Sequence, residues 1–283
     1  MGRTQTVASV IAGLLLASCG NSGRIVVGSK NFTEQVILGE IVAQQLERRL
    51  GEKVDRKLNL GGTLLAHQAL VAGQIDLYPE YTGTALTAVL KLPASRGAAA
   101  VESLVRQEYR SRWNIEWLPS LGFNNTFAMV IVNGFETLSQ AAGRKTGWKL
   151  GVGYEFLTRP DGLPGLLETY HLPLDGSPLS MDLGLLYQAL KQKQVDMVAG
   201  NATDGLISAM GLTMLRDDKG YFPPYEAALA VRGAALESRP GLRPALAELS
   251  GKISTEAMRK MNYEVDGQHR AVRDVARDFL DRK

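Results

Sequence analysis

The chain has 283 residues, 45% of them hydrophobic and 22% charged, with a net charge of +3 at pH 7. That balance is of a folded protein large enough for one big domain or two ordinary ones, and it argues against disorder over most of the length. So small a charge excess, spread along the chain, gives no basis for binding nucleic acid, and a single cysteine, Cys19, excludes an intrachain disulfide.

Residues 6–17 are an apolar run behind one basic residue, Arg3. The run has the length of a signal-peptide core and is too short to span a bilayer. It ends in Leu16-Ala17-Ser18-Cys19-Gly20. Small residues before a lone cysteine resemble the lipobox of bacterial lipoproteins, which implies a signal peptide over 1–18, lipidation of Cys19 and a linker through residue 23. A secretory signal with an incidental cysteine is the alternative. No later segment reaches the ~18 unbroken apolar residues of a membrane span, so a permease would be a separate chain.

Residues 25–28 read as a buried strand and 29–33 as the loop after it. Thr33 is placed to cap the next helix, in which Ile37, Leu38, Ile41, Val42 and Leu46 fall at helical spacing before Gly51 stops it. Residues 54–60 alternate as a strand, and Gly61-Gly62-Thr63 turns into a helix carrying His67. A third strand is expected over 75–77, opening into a polar, aromatic loop over 78–84. This β-α-β-α-β order predicts a mainly parallel sheet with crossover helices.

A helix over 101–113 and a strand over 115–118 follow, and the apolar run 128–132 lies beyond a crossing to a second lobe. There the strand 150–153 leads to a loop at 154–156 and a helix starting at 159–162. Residues 188–207 then repeat the 68–86 stretch at a spacing of 120: Gln68-Ala69-Leu70 returns as Gln188-Ala189-Leu190, Ile75-Asp76-Leu77 as Val195-Asp196-Met197, and Asn201 stands where Tyr81 does. Residues 201–204 are expected to cap a helix through Met210, and 213–215 form a short strand. Pro223 and Pro224 forbid a helix at 221–225, which suits a return crossing; 227–231 would rejoin the first lobe, with the last helices packed on it. The expected division is 24–123 and 226–283 for the first lobe and 124–225 for the second.

Five stretches carry a family resemblance: Gly28-Ser29-Lys30-Asn31-Phe32-Thr33-Glu34, Asp76-Leu77-Tyr78-Pro79-Glu80-Tyr81-Thr82-Gly83-Thr84, Gly122-Phe123-Asn124-Asn125-Thr126, Thr203-Asp204-Gly205 and Pro223-Pro224-Tyr225. With them the chain resembles the substrate-binding proteins of bacterial osmoprotectant ABC importers, which capture glycine betaine, carnitine, choline and related compounds. The resemblance implies an α/β, two-lobed type II periplasmic-binding fold with a ligand cleft between the lobes. It also implies an extracytoplasmic, lipid-anchored monomer that binds a quaternary amine without a cofactor or metal and hands it to a permease and its ATPase.

A trimethylammonium head has no N–H to donate, so ring faces select it, each contributing ~0.5–2 kcal/mol. The carboxylate of a betaine needs Arg, Lys or free N–H groups. By resemblance, Tyr81 and Tyr225 stand at cage positions, Phe127 replaces a usual tyrosine, and Asn201 replaces another and removes its ring. Three rings then remain unless Tyr154 or Tyr221 adds one. Lys30, Thr84, Asn125 and Arg159 match positions near the polar end of the ligand, although Arg159 could instead pair with Asp161. The loss at Asn201 leaves room for a larger betaine such as ergothioneine, whose ring an amide could hydrogen-bond.

The residues offer little to an enzyme. His67, His171 and His269 are isolated, and there is no Gly-x-Ser-x-Gly, His-Glu-x-x-His or Walker loop.

Overall fold

The structure is a computed structural model that describes residues 23–94 and 97–282. The expected signal peptide, Cys19 and the linker before residue 23 lie outside the described residues. In chain order the strands are β1 (Val26–Gly28), β2 (Asp55–Lys57), β3 (Leu77–Tyr81), β4 (Ile115–Trp117), β5 (Phe127–Ile131), β6 (Leu150–Val152), β7 (Leu179–Ser180), β8 (Met197–Asn201), β9 (Thr213–Met214) and β10 (Ala227–Arg232). They form two five-stranded sheets, ordered β2-β1-β3-β10-β4 and β7-β6-β8-β5-β9. Each sheet, with its helices, is a lobe.

The sheets are mainly parallel, with one reversed strand apiece. β10 runs antiparallel to β3 and β4, and β5 runs antiparallel to β8 and β9. Each reversed strand is the one the chain lays down on arriving from the other sheet.

The Thr33–Leu50 helix buries Ile37, Leu38, Ile41, Val42 and Leu46 against the first sheet, each burial worth ~1.5–3 kcal/mol. Gly51 ends it at φ 68°, its N–H bonded to the Glu47 carbonyl. Thr33 does not cap this helix. Phe32 holds the N-cap position, and the Thr33 hydroxyl donates to Asp266 at 2.6 Å, so a tertiary partner displaces the local one.

The stretch 78–81, expected as loop, is the body of β3, and all five residues of that strand are buried. Asp76 closes the foot of the sheet: its carboxylate accepts the Val26 N–H at 2.9 Å and pairs with Arg232 at 3.1 Å. Pro79 is tolerated because Leu229, opposite it, gives its carbonyl to Leu118 at 3.0 Å, so no bond to Pro79 is lost on that side. The second lobe shows the same displacement, since the strand expected over 195–199 is β8 and Asp196 accepts from the Lys149 N–H. The spacing of 120 therefore survives as geometry: β3 and β8 end at Tyr81 and Asn201.

Two further segments differ from expectation. Residues 154–156, expected as loop, belong to the helix Tyr154–Thr158, a single turn too short to show a periodicity. Residues 159–162 form the turn before the helix Leu163–Tyr170. Asp204 precedes the helix Gly205–Ala209 without capping it, because its carboxylate takes the Tyr187 phenol at 2.6 Å and the Asn201 N–H at 2.9 Å.

The chain crosses between sheets twice, and the crossings pair. Asn124 bridges Glu226, the Asn125 N–H donates to the Tyr225 carbonyl at 3.0 Å, and the Tyr225 N–H donates to the Asn124 side chain at 3.1 Å.

Candidate functional site

Between the lobes lies a cavity of about 620 Å³, within the range of small-molecule sites. All eight residues expected to contact a ligand line it: Lys30, Tyr81, Thr84, Asn125, Phe127, Arg159, Asn201 and Tyr225. The folding logic is plain, because Tyr81 and Asn201 end β3 and β8, Phe127 opens β5, and Asn125 and Tyr225 sit on the paired crossings.

The ring wall is larger than the sequence suggests. Phe32 and Phe156 join Tyr81, Phe127 and Tyr225, with Tyr154 at the rim and 73% exposed. Phe32 stacks on Tyr81 at 6.4 Å, and Phe127 meets Phe156 and Tyr225 edge-on at 5.0 and 5.7 Å. Tyr221 adds no ring to the cavity wall. Its phenol donates to the Pro160 and Gly162 carbonyls and braces the 159–162 turn. Gly83 permits the approach of Tyr225, since a Cβ there would sit 2.8 Å from that ring.

Tyr81 and Tyr225, expected at cage positions, each give their phenol to a buried carboxylate. Tyr81 donates to Glu34 at 2.6 Å, and Tyr225 donates to Asp161 at 2.6 Å. Burial first, then the adjacent anion, pushes each phenol well above its usual pKa, so both stay protonated donors.

The two buried cations at the site are also matched. Lys30 pairs with Glu80 at 2.5 Å, with neither side chain more than 4% exposed, and its ammonium lies 4.7 Å from the Tyr81 ring centre. Arg159 pairs with Asp161 through two bonds, at 2.9 and 2.5 Å, and lies 5.0 Å from the Phe127 ring centre. Burial would raise Asp161, but the bond to Arg159 and its charge outweigh that and hold it below the usual carboxylate range. The protein's own cations thus lie over ring faces that the sequence reading assigns to a ligand. Each is neutralised by a carboxylate, so the cleft keeps polar N–H groups without a strong positive field.

Several contacts join the lobes across this cavity. Arg159 donates to Thr84 at 3.3 Å, while Glu155 takes the Thr63 N–H at 2.6 Å and its hydroxyl at 3.0 Å. Asn201 faces the cavity beside its cross-strand partner Phe127. Besides Phe32 and Phe156, the carboxylates Glu34, Glu80, Asp161 and Glu155 are residues that sequence reading did not place at the site. Glu34 and Glu80 stand inside the quoted family stretches, and Asp161 is two residues from Arg159.

Residues 23–282 match the family described as the substrate binding domain of ABC-type glycine betaine transport systems. The chain is 33% identical over 265 residues to the ergothioneine transport permease/ergothioneine binding protein EgtU of Helicobacter pylori, an alignment covering 91% of this chain and 47% of that protein. The chain thus spans about half the length of that relative. It is 32% identical to the carnitine transport binding protein OpuCC of Listeria monocytogenes, over 97% of this chain and 94% of that one. A solved structure described as a glycine betaine/carnitine/choline ABC transporter superposes with a TM-score of 0.77 at 30% identity, covering 91% of this chain and 98% of that one.

Proposed function

The chain belongs to the family of substrate-binding domains of ABC-type glycine betaine transport systems, and from that premise we propose that it captures a quaternary-ammonium solute between its lobes. The ligand class is a betaine or a choline-like compound. The bound solute passes to a membrane permease and its ATPase, and the protein acts outside the cytoplasm without chemistry of its own.

The observation that carries this reading is the convergence of five rings, Phe32, Tyr81, Phe127, Phe156 and Tyr225, on one cavity whose two buried cations, Lys30 and Arg159, are each paired with a carboxylate. A head group without N–H donors gains from such faces, at ~0.5–2 kcal/mol for each well-placed ring. For the carboxylate of a zwitterion, the N–H groups of Arg159, Lys30 and Asn125 and the Thr84 hydroxyl offer partners in the same cavity.

The experiment is titration calorimetry of refolded, ligand-stripped protein with glycine betaine, carnitine, choline, proline betaine and ergothioneine. At least one binds with a micromolar or lower dissociation constant. Silence across the panel overturns the proposal.

A second reading, a larger betaine such as ergothioneine, draws on Asn201, which offers an amide where a ring would fill the space. Tight binding of ergothioneine with weak glycine betaine would favour it. The lobe division at 123/124 and 225/226 and the lipid anchor on Cys19 complete the proposal. The first is supported by the paired crossings and the second by the lipobox-like sequence.

A further inference from the structure

Glu34 is a buried carboxylate, 2% exposed, in the first turn of the Thr33–Leu50 helix. One oxygen accepts from the Tyr81 phenol at 2.6 Å and from the Asn125 side-chain amide at 2.8 Å. The other accepts from the Thr203 hydroxyl at 2.5 Å and from the Asn262 amide at 3.1 Å. The four donors come from four different places: the end of β3, a crossing between the lobes, the loop after β8 in the second lobe, and the helix Thr255–Asp266.

All four donors are neutral groups. A buried anion without a cation to balance it depends on every donor it has, and each such bond exceeds an ordinary neutral one. Burial accordingly raises the Glu34 pKa, while the four bonds work against that rise.

Thr203 is held from three sides in this cluster. Besides its hydroxyl bond to Glu34, its N–H reaches Asn125 at 3.4 Å and its carbonyl accepts from Asn262 at 2.9 Å. A rotation of the second lobe moves Thr203 and so disturbs the oxygen that balances the Tyr81 bond. The same carboxylate draws density toward the Tyr81 ring by accepting the phenol's hydrogen bond, and that ring faces the cleft.

We propose that Glu34 is a positioning residue: it fixes the Tyr81 ring in the cleft and ties that placement to the seat of Thr203 in the second lobe. The ring face is then fully formed only when the lobes adopt the arrangement seen here. The link to ligand capture rests on the reading given under Proposed function; the link between Glu34, Tyr81 and Thr203 does not.

The test uses protein labelled with 3-fluorotyrosine and compares wild type, Glu34→Gln, Thr203→Val, Tyr81→Phe and the Glu34→Gln/Tyr81→Phe double variant. The Tyr81 fluorine resonance is identified by its loss in Tyr81→Phe. Glu34→Gln turns an acceptor oxygen into an amide donor facing the Asn262 amide, and it is expected to shift or broaden that resonance without added solute. Thr203→Val removes only the second-lobe donor and should shift it in the same direction, which keeps the test decisive if Glu34→Gln fails to fold.

With glycine betaine and carnitine as probes, Glu34→Gln should weaken binding about tenfold or more. Tyr81→Phe should then cost less in the Glu34→Gln background than in wild type. An unmoved Tyr81 resonance in both Glu34→Gln and Thr203→Val overturns the proposal, as do losses that multiply independently. A wild type that binds neither probe while both variants still move the resonance contradicts the ligand class and supports the positioning role.

Discussion

Arg159 and Asp161, two residues apart in the turn before the helix Leu163–Tyr170, form a two-pronged ion pair at 2.9 and 2.5 Å inside the cleft wall. Asp161 also holds the Tyr225 phenol, so one carboxylate orients both the arginine and a ring of the cavity. Asp161→Asn takes the two-pronged partner from the buried guanidinium, leaving only Glu155 at 3.8 Å, and should lower stability by about 3 kcal/mol in urea unfolding. Adding Arg159→Met to that variant should recover part of the loss. A second substitution that only deepens it would mean that the two residues do not act as a pair.

Lys30 and Glu80 make the matching pair in the first lobe, at 2.5 Å and with Glu80 fully buried. Lys30→Met should cost about 3–5 kcal/mol because Glu80 is stranded, whereas Lys30→Met/Glu80→Gln should lie closer to wild type. Thermal and urea unfolding of the three proteins measure this. Equal stability of the single and double variants contradicts it.

Asn201 ends β8 at the cavity, beside Phe127 and at the repeat position of Tyr81. Asn201→Tyr returns a ring to that position and should tighten glycine betaine by about 0.5–2 kcal/mol. Ergothioneine, if bound, should weaken in the same variant. Calorimetry with the two solutes reads both effects, and unchanged affinities would place Asn201 outside the ligand's reach.

Asp204 supplies a pH signature. Burial, with the charges of Glu34 and Asp266 adding to it, pushes its carboxyl up to about 6 from 3.8, against the bonds from Tyr187 and the Asn201 N–H. The folded state therefore favours the protonated acid, and this contribution is present below about pH 4 and lost as pH rises through 6. The stability of wild type relative to Asp204→Asn should fall by about 2 kcal/mol between pH 4 and pH 7. A flat difference across that range contradicts the shift.

Much of this arrangement was legible in the residues, for identifiable reasons. The 120-residue spacing placed Tyr81 and Asn201 at equivalent positions, which the structure makes strand ends, and the two prolines before Tyr225 marked a non-helical crossing. Position within β3 was not legible, because polar residues 78–81 look like loop until Glu80 finds Lys30 and Tyr78 as partners. Thr33 looked like a cap because its sequence neighbours allow one, yet its partner, Asp266, lies 233 residues away. The same limit hid Glu34, whose four partners are scattered from residue 81 to residue 262. Local pattern reports strand ends and breaks; it carries no record of which distant donors a buried anion will meet.

The central claim is that ring faces in this cleft hold a quaternary ammonium head. Titration calorimetry of wild type, Tyr81→Ala and Phe127→Ala with the tightest solute of the panel tests it most directly. The expected result is micromolar or tighter binding to wild type and about a tenfold or greater loss in each variant, with the fold intact by circular dichroism. Binding that is equally tight in all three proteins, or absent from wild type for every solute tried, would contradict the account.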